Sequence, residues 1–209
     1  MKIGGFQSLT LSDFPGMTAA IVFTQGCNFR CPFCHNGSLL NTNIDCKNLL
    51  SEQNVFEELE SRKHILDGLV ISGGEPTIQT DLLKFIRNVR DLGYKIKLDT
   101  NGSRPDIIEK LISENVLDYI AMDIKAPLDK YSCLSGVEVE TNNILKSIEI
   151  ISSAEVISEF RTTCVPELLT ETDIETIRSM VPSKTKYTIQ EFVPEKAWNW
   201  PIAEIKETL

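Results

Sequence analysis

Three thiols stand close together in the stretch GCNFRCPFCHNGS: Cys27, Cys31 and Cys34. Thiolates are soft ligands that suit zinc or iron–sulfur clusters. A structural zinc site wants a fourth protein ligand. His35 is the nearest donor, but it directly follows Cys34, so its ring tends to point away from a site that Cys34 already holds. Cys46, Cys133 and His64 lie at no familiar zinc spacing. A [4Fe–4S] cube needs only three cysteines if its fourth iron is left open to an exogenous ligand. From the residues alone both readings stand, and the spacing favours the cluster.

Other stretches carry polar groups of the right kind: SGGEPT at 72–77, DTNG at 99–102, MDIKAPLD at 122–129, then Arg161, Gln190 and Glu191. Each has a plainer reading. Gly and Pro punctuate turns everywhere, so GGEP alone is a turn, and DTNG is a good one too. Asp123 can simply pair with Lys125. Arg161 can point inward to a site or outward to solvent. Asp13 and Tyr131 can face a partner or be loop residues, and Cys164 reads as a buried strand residue.

These stretches fall at the ends of short apolar runs rich in Ile, Val and aromatics, as buried parallel strands should be. The runs cover 19–24, 69–72, 95–99, 119–123, 157–165 and 186–192. Helical patterns lie between them. Residues 51–63 carry Val55, Phe56 and Leu59 on one face behind a Ser51 cap. Residues 80–92 are followed by Gly93 at a C-terminal cap. Residues 105–114 open with Pro in the first turn. Residues 141–152 and 170–180 complete the set, the last with an acidic first turn. Alternating strands and helices predict parallel β/α units with right-handed crossovers. Six units point to a shorter, open relative of the eight-unit barrel, with a doubly wound sheet as the rival. In either, the loops after the strands carry the chemistry.

The chain has 209 residues, 42% hydrophobic and 24% charged, which suits one globular domain. Its 30 acidic residues against 21 Lys and Arg give a formal charge of −9, which disfavours a nucleic-acid partner. The N-terminus lacks the apolar core of a signal peptide, and the run 19–23 is too short to span a bilayer. A cytoplasmic protein is expected. There clustered cysteines bind metal or do redox chemistry more often than they form disulfides.

The pattern C-x-x-x-C-x-aromatic-C, with Phe33 as the aromatic, together with GGEP, resembles the two signatures of the radical S-adenosylmethionine superfamily. LSDFPGMTAAIVFTQGCNFRCPFCHNGSL, LDTNG and MDIK narrow the resemblance to activating enzymes for glycyl radical proteins, over residues 4–190. Within them the chain is most similar to the anaerobic ribonucleoside-triphosphate reductase activating proteins. The resemblance implies a partial (βα)6 barrel as one domain, with a core of about 17–193, a short N-terminal segment 1–16 and a tail 194–209. It implies a [4Fe–4S] cluster on Cys27, Cys31 and Cys34, with S-adenosylmethionine at the open iron. Phe33 would lie against the adenine, and Gly73, Gly74 and Glu75 would approach the amino group. Asp99 and Thr100 would surround the methionine end, and Asp123 and Lys125 would sit near the ribose and carboxylate. An arginine near Arg161 belongs to the same pattern, which favours its inward reading.

The chain departs from larger relatives in two places. The region after the last strand, YTIQEFVPEKAW, has no histidine, so Gln190 or Glu191 would take its place. There is also no cysteine-rich insert, since only Cys46 lies between Cys34 and Gly73, which predicts one cluster. The implied reaction is reductive cleavage of S-adenosylmethionine to a 5′-deoxyadenosyl radical, which takes a hydrogen from a glycine of a partner enzyme. An electron donor such as flavodoxin or ferredoxin would be required. No side chain is needed as acid or base. Two alternatives remain at this level: a radical enzyme acting on a small molecule, and a zinc-stabilised binding module.

Overall fold

A computed structural model describes residues 1–200, the side chain of Cys46 apart, so the end of the expected tail lies outside the described residues. Seven strands form one sheet in chain order: β1 (Ile3–Thr10), β2 (Ala19–Thr24), β3 (Gly68–Gly73), β4 (Lys95–Thr100), β5 (Tyr119–Asp123), β6 (Ile157–Cys164) and β7 (Lys186–Glu191). β2 to β7 are parallel throughout. Strictly sequential order decides between the two architectures foreseen. A doubly wound sheet reverses its strand order at a switch point, whereas sequential right-handed crossovers keep every helix on one face. The fold is an open, partial β/α barrel of six parallel strands, with no α-helix after β7 among the described residues.

The helices follow their sequence signals closely. α1 (Glu52–Ser61) starts behind Ser51, whose hydroxyl accepts from Asn54 N at 3.1 Å. α2 (Leu82–Asp91) is followed by Gly93 at φ +96°, which closes the helix in the left-handed conformation glycine tolerates. α3 (Pro105–Ser113) and α5 (Thr141–Ser153) lie where expected, and α6 (Glu171–Met180) opens with a reciprocal capping box between Thr170 and Asp173.

Two elements were not foreseen. β1 adds antiparallel to β2, so residues 3–10 belong to the sheet and not to a terminal segment. Its sequence IGGFQSLT has two glycines and a half-exposed surface, which gives little strand signal. The five-residue α4 (Tyr131–Ser135) is the other, and it buries Tyr131 completely. Tyr131 is thus core, not a partner-facing residue.

Alternation along the strands splits the interior in two. Ala20, Val22, Leu69, Ile71, Ile96, Leu98, Ile120, Met122 and Phe160 face the helices and build the large core with Leu59, Phe85, Ile108, Ile148 and Ile177. The intervening residues Ala19, Ile21, Val70, Tyr119 and Ala121 face the barrel axis. Phe14 closes the base of the barrel among them, its ring edge-on to Tyr119 at 6.1 Å. Further up the same concave face, the side chains turn polar.

Candidate active site

That polar upper half is a cavity of about 380 Å³ at the carboxyl ends of the strands, lined by residues from β2 through β7 and the loops that follow them. Cys27, Cys31 and Cys34 all line it. So do Phe33, Gly73, Gly74, Glu75, Asp99, Thr100, Asp123, Lys125, Arg161 and Gln190. The three clustered cysteines and these ten candidate cofactor residues therefore meet at one place. Of the two candidates after the last strand, Gln190 lines the cavity: it stands opposite Thr163 in register, whereas Glu191 stands opposite Cys164 on the other face.

The cysteine loop is closed at its base by Gly26 N donating to Leu39 O at 2.7 Å and Cys27 N to Leu40 O at 3.2 Å. Cys34 N donates to Cys31 O at 3.1 Å, so a turn sets the spacing of those two thiols. α4 buttresses the far side: Arg30 N donates to Ser135 O at 2.7 Å, and Phe29 meets Tyr131 edge-on at 6.4 Å. Cys27 and Cys31 are buried, and burial pushes their thiols up to about 11 and about 12. A thiol in that state ionises when a metal replaces the proton.

The paired glycines of GGEP have a packing reason. Gly73 sits at φ +105°, and a Cβ on Gly74 would lie 2.1 Å from Gly26 O. The loop after β3 thus presses on the start of the cysteine loop, backbone on backbone. Gly73 O accepts from Asn36 Nδ2 at 3.2 Å. Glu75 is 1% exposed, and its carboxylate accepts from Thr77 N (3.0 Å), Thr77 Oγ1 (2.5 Å), Thr100 Oγ1 (2.7 Å) and Asn101 N (2.7 Å). Burial pushes its pKa up, and these donors pull it back only in part. Its carboxylate ties the loop after β3 to the loop after β4.

The other wall is made of charges. Asp123 and Arg161 stand opposite each other in register on β5 and β6, with Arg161 Nε donating to Asp123 Oδ1 at 2.8 Å. Lys125 Nζ reaches Asp123 Oδ2 at 3.2 Å, Arg161 Nη2 lies 3.6 Å from Asp99 Oδ2, and Lys97 Nζ holds Asp99 from below. Arg161 therefore points inward. Burial works against the Asp123 carboxylate, but Arg161 and Lys125 outweigh it and hold Asp123 well below the usual range. Burial likewise opposes the Lys125 ammonium, yet Asp123, with Cys31 and Cys34 behind it, keeps it well above the usual lysine range. Lys97 escaped the sequence reading. It is 1% exposed, and its signal was the two-residue step to Asp99 that puts both on one face. Asn28 and Asn101 were missed as well: Asn101 Nδ2 donates to Asn28 Oδ1 at 3.0 Å, linking the cysteine loop to the loop after β4.

His35 is no partner of the thiols. Its ring stacks on Phe192, centroids 5.8 Å apart and 18° from parallel. Among the described residues no three Cys, His, Asp or Glu side chains converge closely enough to hold one metal ion. A cubane makes a different demand, since each thiolate binds its own iron.

The model of the radical SAM superfamily matches residues 21–180. A Methanocaldococcus jannaschii protein named for glycyl-radical enzyme activation is 37% identical over 202 residues, which span 94% of this chain and 82% of that one. The chain belongs to the radical SAM superfamily, among the glycyl-radical enzyme activating enzymes. It is also 34% identical over 134 residues to the pyruvate formate-lyase-activating enzyme of Listeria monocytogenes, a match over 59% of this chain and 53% of the relative. It thus spans about half the length of that relative. Among solved structures, Streptococcus suis SuiB bound to precursor peptide SuiA superposes with a TM-score of 0.66 at 16% identity, over 86% of this chain and 40% of that one. That likeness is one of fold.

Members of this superfamily bind a [4Fe–4S] cluster and S-adenosylmethionine. The donors present fit both. Three soft ligands share one wall of the cavity, with the aromatic Phe33 in the same loop, and cations and carboxylates that suit an amino acid's two charged ends share the other. Among the described residues no helix is long and apolar enough to cross a membrane.

Proposed function

We propose that this enzyme generates a glycyl radical on a partner enzyme, and that the partner is an anaerobic ribonucleoside-triphosphate reductase. One observation carries the reading: Cys27, Cys31 and Cys34 line the same cavity as the GGEP loop, Asp99, Asp123, Lys125, Arg161 and Gln190. The 37% identity that runs along 94% of the chain supports the activase assignment. Resemblance of the N-terminal stretch and of LDTNG and MDIK supports the choice of reductase.

In this reading one cluster is held by Cys27, Cys31 and Cys34, and the whole chain works as a single domain in the cytoplasm. When bound, the cluster and S-adenosylmethionine supply one-electron cleavage of a carbon–sulfur bond and, from it, hydrogen-atom abstraction. The protein's task is to bind, orient and exclude water. Lys125 and Arg161 attract the cofactor's carboxylate, and both stay charged because Asp123 and Asp99 lie beside them. Asp99 and the backbone carbonyl of Gly74 offer acceptors to the ammonium, Thr100 stands next to them, and Gln190 closes the far side of the pocket. The carboxylate of Glu75 is committed to four protein donors, so its part is to fix the GGEP loop. Phe33 gives the adenine a flat apolar surface. An electron donor of the flavodoxin or ferredoxin kind completes the system.

The test mixes reduced, reconstituted enzyme, S-adenosylmethionine and the candidate reductase without oxygen. A glycyl doublet in the electron paramagnetic resonance spectrum of the reductase is expected. Cofactor cleavage that never produces a protein radical, with the reductase or with other glycyl radical enzymes, would sink the reading in favour of a small-molecule substrate.

A further inference from the structure

We propose that residues 192–200, which follow β7, form a strap that fixes the cysteine loop, with Trp198 as its positioning residue. Both donors of Trp198 are spent on that loop. Its indole Nε1 donates to Cys31 O at 2.9 Å, and its backbone N donates to Cys34 O at 3.1 Å. Cys31 O is also the acceptor of the Cys34 turn, so one carbonyl receives both the turn and the strap. The two residues pinned in this way are two of the three thiol carriers, Cys31 lying 167 positions away in the chain.

The loop is shaped to receive the strap. A Cβ on Gly37 would lie 1.9 Å from Trp198 Cβ, so only glycine lets the tryptophan settle there. Two further aromatic contacts hold the strap beside the site: Phe192 stacks on His35, and Trp200 meets Phe192 edge-on at 4.8 Å. Trp198 keeps 49% of its surface exposed. Burial alone is therefore a weak reason for its position, whereas its two hydrogen bonds are a strong one. A loop that must hold thiolates in fixed directions gains from partners behind its ligands, because orientation is lost when the supporting shell is loose.

The inference rests on the cluster assignment, and its test separates the two. Wild type, Trp198→Phe, Trp198→Ala and Gly37→Ala are reconstituted anaerobically and assayed for iron and sulfide. They are then challenged with a chelator while the visible absorption is followed. Trp198→Phe keeps most of the bulk and the backbone donor and loses only the ring donor. Gly37→Ala displaces the strap without touching a ligand. Cluster loss is expected about tenfold faster in Trp198→Ala and Gly37→Ala and less so in Trp198→Phe. The reduced-cluster resonance should be altered in the same order, with the thermal unfolding of the metal-free proteins unchanged. Wild-type rates and spectra in Trp198→Ala and Gly37→Ala overturn the strap. A faster loss that merely tracks a fall in metal-free stability across all three variants overturns it too. A wild-type protein that takes up no iron or sulfide overturns the cluster assignment itself, and the strap's role with it.

Discussion

The two walls of the cavity are built on different principles. The wall after β2 and β3 is backbone: the loop of Cys27, Cys31 and Cys34 and the GGEP turn press together where Gly74 meets Gly26 O, and no side chain fits on Gly74. The wall on β4, β5 and β6 is side chain: Lys97, Asp99, Arg161, Asp123 and Lys125 hold one another in a chain of ion pairs. The first wall chooses what kind of metal it can take. The second stores charge that a ligand can use only because the protein has already satisfied it. Damage to the first should therefore cost function with little loss of fold, and damage to the second should cost both.

The largest effect is expected from Cys31→Ala. Iron and sulfide uptake should fall to background and radical formation with them, while denaturant unfolding of the metal-free protein shifts by about 1 kcal/mol. A large loss of fold in this variant would break the contrast. Arg161→Met comes next. It leaves Asp123 to Lys125 and Asp99 to Lys97 in a partly buried setting, for a loss of about 2–3 kcal/mol in denaturant unfolding. The pH dependence has a definite sign. Asp123 is held below its unfolded value of about 3.9, so its contribution is present in full above about pH 4 and lost as the pH falls below that. The variant lacks the share of this contribution that Arg161 supplies and keeps that of Lys125, so its stability should fall less steeply than wild type below pH 4. Glu75→Gln gives the smallest change, because it touches the seam between the walls. An amide cannot accept from all four donors, and thermal unfolding should report a loss of about 1–3 kcal/mol.

The same contrast explains what the sequence disclosed. The backbone wall is local, so its residues are consecutive and its motifs could be read directly. The charged wall is joined by strand register. Asp123 and Arg161 are 38 residues apart, and nothing in either neighbourhood announces the other. The residues alone leave the direction of Arg161 open for that reason, and nothing around Lys97 marks it beyond its place in a strand. Strands β2 to β7 and the five longer helices were legible because their apolar periods and caps are strong. β1 was not, because an edge strand with one covered face and two glycines lacks both. Trp198 was read as part of a tail, since its partners are carbonyls of a loop at the other end of the chain.

An open barrel has a cost that a closed one avoids: among the described residues it ends in two edge strands, β1 and β7, each able to template another chain. The pairing of β1 with β2 is broken by register shifts between Ile3 and Gly5 and between Gln7 and Thr10. A strand twisted by such irregularities offers an incoming copy no continuous ladder. β7 is regular, but it begins with Lys186 and ends with Glu191, both exposed. Charges at an edge discourage a second sheet from adding to it. The barrel can thus stay open toward its cavity without inviting copies of itself to aggregate edge to edge.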